Sequence, residues 1–170
     1  MKRLYYFVAV TVLVIVGACT PMERDIHVNA TSQLGVTFTV PSRWTTTDEG
    51  NTFSLESPDK HAAIHSVMFT AEGSGSLTEC GDTIFPGLLP KNAKKWADSE
   101  WQPITIGTLP AMKRELISVP VTDHKWVLYV ADGGEFYHAI ILHGSKAAMD
   151  LNGTYYESLV LTFEHSDENP

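Results

Sequence analysis

The chain has 170 residues, 44% of them hydrophobic and 19% charged, which is enough for one globular domain and tight for two. Twenty acidic residues outweigh twelve lysines and arginines, giving a formal charge of −8, and without a clustered cationic face no nucleic-acid partner is expected. Two cysteines are too few for a disulfide-stapled miniprotein, and the apolar content excludes a disordered tail or a collagen-like repeat.

Lys2 and Arg3 precede an apolar run from Leu4 to Val16, followed by Gly17, Ala18 and Cys19. A positive start, a short apolar stretch and small residues at the end make a secretory signal. The thirteen-residue run falls short of the ~20 residues that a spanning helix needs. Val16-Gly17-Ala18-Cys19 resembles the lipobox of bacterial lipoproteins, which implies cleavage before Cys19 and its acylation, palmitate included. The bland alternative is an ordinary cleaved signal with a cysteine there by chance. Thr20, rather than an aspartate, implies by the same resemblance the outer membrane, with the domain facing the periplasm. Cleavage removes two cations and no acid, so the charge moves from −8 to −10, and the acyl chains rather than a basic patch must hold the body at the membrane. With Cys19 acylated, Cys80 has no partner for a disulfide and is expected to be buried.

Residues 20–33 are polar without a sustained period and are expected to be a tether, so the globular domain is placed at 34–163. Val36, Phe38 and Val40 alternate with threonines, a half-buried strand that Pro41 ends. Thr45 to Gly50 reads as a loop, Thr52 to Glu56 as a strand, and Ser57-Pro58-Asp59 as a turn. Ala62 to Thr70 is the third strand, with Ile64, Ser66 and Met68 on one side and His65, Val67 and Phe69 on the other.

Gly73-Ser74-Gly75-Ser76 reads as a flexible joint, and Leu77 to Phe85 as a helix with Ser76 as cap and Glu79 three residues on. Gly81 weakens it and Pro86-Gly87 is expected to end it; Pro90 to Asp98 reads as a second short helix. Strands follow at Ile104 to Gly107 and Ala111 to Val119. Trp126 to Ala131 and Phe136 to Leu142 flank Asp132-Gly133-Gly134-Glu135, a hairpin turn. Ser145 caps a helical stretch to about Ser158, with Met149, Leu151, Tyr155 and Leu159 near one face and Gly153 a weak point. Val160 to Phe163 reads as a terminal strand and 164–170 as an acidic tail. The pattern is α+β: an antiparallel sheet covered by helices.

Seven histidines call for a metal test. His61 and His65 lie four apart on a strand, roughly 13 Å at its rise per residue, too far for one ion. His138 and His143 fall on opposite faces, and His27, His124 and His165 lie in tether, loop and tail. No metal or cofactor is expected on this spacing. There is no Gly-x-Ser-x-Gly elbow, helix capping accounts for Ser145, and Cys80 beside Asp82 has no histidine near it in sequence, so no catalytic residue is assigned. A triad assembled from distant residues stays open. Trp96 and Trp101 sit in the irregular middle segment, where aromatic anchors suit a protein-binding surface, although most of the large rings belong in a core.

The strand Val36 to Val40 running into Pro41-Ser42-Arg43-Trp44, then Leu55-Glu56-Ser57-Pro58-Asp59, the strand through Ile64 to Phe69, Ile106-Gly107-Thr108-Leu109-Pro110-Ala111, and the closing Tyr156 to Phe163 together resemble the PsbP-like superfamily. That superfamily includes the photosystem oxygen-evolving subunit, Ran-binding nuclear-import factors and bacterial lipoproteins. The resemblance implies an α/β/α sandwich across 34–163 and a binding or assembly role rather than catalysis. Read together, these features describe a lipid-anchored, non-enzymatic module that docks onto another envelope or secreted protein. The alternatives are an immunity-type inhibitor of a secreted toxin, and a hydrolase or small lipid carrier.

Overall fold

The computed structural model describes residues 26–70, 75–90, 96–118 and 123–166. The leader, Cys19, the Gly73-Ser74 part of the joint and the end of the tail lie outside the described residues. Eleven strands and two helices are seen among the described residues, β1 (His27–Thr31), β2 (Val36–Pro41), β3 (Thr45–Glu49), β4 (Thr52–Glu56), β5 (Ala62–Thr70), α1 (Leu77–Leu88), β6 (Trp96–Asp98), β7 (Gln102–Ile106), β8 (Leu109–Ser118), β9 (His124–Asp132), β10 (Phe136–Ser145), α2 (Lys146–Val160) and β11 (Glu164–His165). The large sheet runs β3-β4-β5-β10-β9-β8-β6, with β7 also on β8, and a small sheet runs β1-β2-β11. Every pairing between them is antiparallel. This is an α+β domain.

Alternation in β4, β5, β9 and β10 divides the large sheet into two apolar faces. One carries Phe53, Leu55, Ile64, Tyr129, Ile140 and Leu142, which meet Phe38 and Val40 of β2, the α2 residues Leu159 and Val160, and Phe163. The other carries Leu128, Val130, Ala139 and Ile141, which meet Cys80 and Phe85 of α1. Cys80 is buried, and burial raises its thiol pKa. Full burial of side chains of this size contributes about 1.5–3 kcal/mol each.

Several expectations change. Residues 27–31, assigned to the tether, form β1, and Thr45–Glu49, assigned to a loop, form β3. Both are edge strands that bury almost nothing, so the alternation that marks a half-buried strand is missing. Asp48 and Glu49 at the sheet margin discourage further pairing, and Asp48 Oδ2 also accepts a bond from the Gln33 N–H at 2.6 Å, tying the two sheets together. Trp96–Asp98 is a strand on β8 rather than the end of a helix; 91–95 lie outside the described residues. Helix α1 continues through Pro86 to Leu88; Pro86 falls in its last turn, where the missing N–H interrupts one bond of the ladder, and Leu89 N–H still donates to the Phe85 carbonyl.

The C-terminal expectation fails for a periodic reason. Val160 to Phe163 has β-prone composition, but Tyr156, Leu159, Val160 and Phe163 are the buried positions, and their three- and four-residue spacing continues a helical face. Helix α2 therefore runs to Val160 and the strand is the later Glu164–His165, paired with Val36 and Thr37. The buried face of α2 is Met149, Tyr156, Leu159 and Val160, while Leu151 is 82% exposed and Tyr155 40%. Gly153, with open space where a Cβ would stand, does not break it.

Candidate functional site

One face of the large sheet carries α1, which among the described residues packs over β8, β9 and β10. The register of the sheet sets two neighbouring rows of side chains side by side. One row runs Ser54, His65, Ile141, Leu128, Arg114 across β4, β5, β10, β9 and β8; the next runs Glu56, Ala63, His143, Trp126, Leu116 across the same strands. Helix α1 seats Phe85 on the apolar middle and leaves a polar, ring-bearing margin on either side.

Trp101 and Arg114 make the first margin. The Trp101 ring lies flat against α1 at Gly81, where a Cβ would come 2.4 Å from its Cζ2, and 5.9 Å from the Phe85 ring. Its Nε1–H donates to Asp82 Oδ1 at 3.0 Å, and Arg114 Nη1 donates to the same oxygen at 2.7 Å while the guanidinium sits 4.4 Å from the Trp101 centroid. A groove of about 250 Å³ opens between Trp101, Arg114, Phe85, Leu89, Leu116 and Leu128. Trp101 thus clamps α1 and also walls a surface hollow. Trp96 contributes backbone to β6 opposite Ser118, and its side chain lies outside the described residues, as does Cys19.

Histidines make the second margin, and here the structure brings together residues 78 positions apart. His65 Nε2 and His143 Nε2 lie 2.9 Å apart. The rings are tilted by only 13° with centroids 5.1 Å apart, so they meet edge to edge rather than face to face. One nitrogen must carry the proton and the other accept it. Ser54 Oγ is 2.8 Å from His65 Nδ1, and the Trp126 ring stacks on His143 with centroids 4.3 Å apart. His124 is 6.2 Å from His143, ring to ring. Burial pushes the pKa of His143 down to about 4, helped by His65 and His124, and burial also lowers His65, against the opposing pull of Glu56. Both rings are therefore neutral at pH 7. Spacing along the chain carried no signal for this pair, because the two histidines sit on different strands, 78 positions apart.

Ser54, His65 and His143 also form an ordered chain of nucleophile, base and orienting group. All three sit on interior strands of the large sheet, each paired on both sides. Elsewhere, His138 is fully buried with neither ring nitrogen hydrogen-bonded among the described residues, and burial brings its pKa to about 4, with His165 adding to the shift. A second hollow of about 590 Å³ lies between Gly35, Gly133, Glu135 and His165.

No family model matches the sequence, and no curated protein matches it either. Solved structures do match in shape. The solution structure of cyanobacterial PsbP (CyanoP) from Synechocystis sp. PCC 6803 superposes with a TM-score of 0.64 at 9% identity, covering 89% of this chain and 99% of that one. A point mutant of the protein Mog1 superposes at 0.58 with 12% identity, covering 84% and 97%. A crystal structure from Bacteroides thetaiotaomicron superposes at 0.50 with 18% identity, covering 82% of this chain and 48% of that one. At such identities the likeness is one of fold, and the described residues form a domain of PsbP-like fold.

Proposed function

We propose that the chain is a lipid-anchored binding or assembly module of the bacterial cell envelope, held by acylated Cys19 and docking another envelope or secreted protein without catalysing a reaction on it. On this reading the layers of α1, large sheet, and α2 with the small sheet are an α/β/α sandwich of PsbP-like type, displayed on the periplasmic side of an outer membrane.

The observation that carries the reading is the groove beside α1 on the large sheet among the described residues. Trp101 and Arg114, residue types that dominate interface energetics, line this apolar groove with Phe85, Leu89, Leu116 and Leu128, and Trp126 is partly buried on the same sheet face beside His143. The leader and the Val16-to-Cys19 box support the anchor, and the acidic body excludes an electrostatic hold on anionic lipid.

Two measurements test it. Mass spectrometry of the membrane-extracted protein is expected to show a mature N-terminus at Cys19 carrying acyl chains, and Cys19→Ala is expected to move the protein out of the membrane fraction. Crosslinking in intact envelopes is expected to trap a protein partner with the native chain and much less with Arg114→Ala. An unprocessed leader or a soluble native chain overturns the anchor, and crosslinking that traps nothing overturns the docking role.

A further inference from the structure

The geometry points to a transition-metal site at the His65–His143 pair, one that takes a single late first-row divalent ion such as Cu²⁺ or Zn²⁺ through the two Nε2 atoms. This goes beyond the docking role and stands without it.

Two imidazole nitrogens at about 2.0–2.1 Å from one ion are about 3.3 Å apart in a tetrahedron and about 2.9 Å apart at a right angle. The observed 2.9 Å separation, with ring centroids 5.1 Å apart, sets the two nitrogens nearly head-on, so both rings must swing and the nitrogens part to about 3.3 Å for an ion to replace the bridging proton. Both histidines project from adjacent antiparallel strands, which hold their Cα atoms in fixed register, with His143 directly opposite Ala63 and His65 opposite Ile141. Imidazole is a ligand suited to copper, zinc and nickel rather than to magnesium or calcium.

The surroundings supply for His65 the outer support that metal-bound histidines need, whereas His143 Nδ1 is buried without a hydrogen-bond partner among the described residues. Ser54 Oγ stands 2.8 Å from His65 Nδ1. With Nδ1–H donating to that oxygen, the Nε2 lone pair is free for the ion. The Trp126 ring lies against His143 and restrains its rotation. Glu56, opposite Ala63 on β4, places negative charge where it acts on His65 and offsets the charge of the ion. Among the described residues no three ligating side chains converge on one point, so water, Glu56 after a side-chain rotation, or a group from a docked partner fills the remaining positions.

The test uses the full mature chain in detergent, without a histidine tag, and Cu²⁺ alone as the probe. One Cu²⁺ per chain is expected, with electron paramagnetic resonance showing coupling to two imidazole nitrogens and with Zn²⁺ competing for the site. His65→Gln and His143→Gln are each expected to weaken binding at least tenfold, Glu56→Gln severalfold, and His61→Gln less than twofold. Circular dichroism confirms the fold of each variant, and half-buried His65 carries the test if the His143 variant misfolds. Unchanged binding in folded His65→Gln, a signal with fewer than two nitrogens, or no binding at millimolar Cu²⁺ overturns the site.

Discussion

Gly81 and Trp101 show how much rests on one missing side chain. A Cβ at 81 would stand 2.4 Å from the Trp101 ring, and the ring is held by Asp82 and Arg114, so it has little freedom to retreat. Gly81→Val is expected to cost about 1–3 kcal/mol, as overpacking does, measured as a lower urea midpoint with an unchanged slope. Trp101→Ala is expected to cost a similar amount and to open the groove beside Phe85. His138 makes a different prediction. Its native pKa of about 4 lies below the ordinary 6.5, so between those values the unfolded chain binds more protons than the native one, and stability rises with pH. Acidification from pH 6.5 is therefore expected to erode stability, by up to about 3 kcal/mol from this group once pH 4 is reached. His138→Leu is expected to flatten that slope in denaturation midpoints taken at pH 7, 5.5 and 4.5; an unchanged slope removes the group as its source.

The elements split by how they announce themselves. Both helix starts were legible, since capping chemistry is local. Ser76 Oγ accepts from the Glu79 N–H at 3.3 Å while Glu79 Oε2 accepts from the Ser76 N–H at 2.9 Å, and Ser145 Oγ accepts from the Ala148 N–H at 3.2 Å. Ser76→Ala is expected to cost about 1 kcal/mol, read as earlier hydrogen exchange in α1 than in the central strands. The central strands β4, β5, β9 and β10 were legible because burial on their faces enforces alternation or a continuous apolar run. β1, β3 and β11 were not, because an edge strand held mainly by backbone bonds leaves no apolar pattern to read. The end of α2 was misplaced because β-branched composition at Val160 to Thr162 competed with a helical spacing that only the core could validate.

At the scale of the molecule, one sheet serves two cores, and function is expected on the side that carries the groove beside α1. Phe38 is fully buried where both sheets and the Phe53 and Phe163 rings meet, at 6.3 and 5.3 Å. Phe38→Ala is expected to lose about 3–5 kcal/mol, seen as a fall in thermal midpoint with no specific effect on metal or partner binding. Trp126→Ala, by contrast, removes the ring on His143 and is expected to weaken Cu²⁺ binding more than it weakens the fold.

Local chemistry was readable from residue order alone: the leader and its cysteine box as an expectation, the helix caps, the hairpin at 132–135, the strands that face a core, and from their combination the α+β class and the likeness to a PsbP-like fold. Each depends on neighbours within a few positions. The His65–His143 contact, the Trp101–Arg114–Asp82 cluster and the small sheet closing on β2 depend instead on which strands pair and in what register. That outcome is selected by burial of the whole apolar set at once, so it emerges only when the chain has folded.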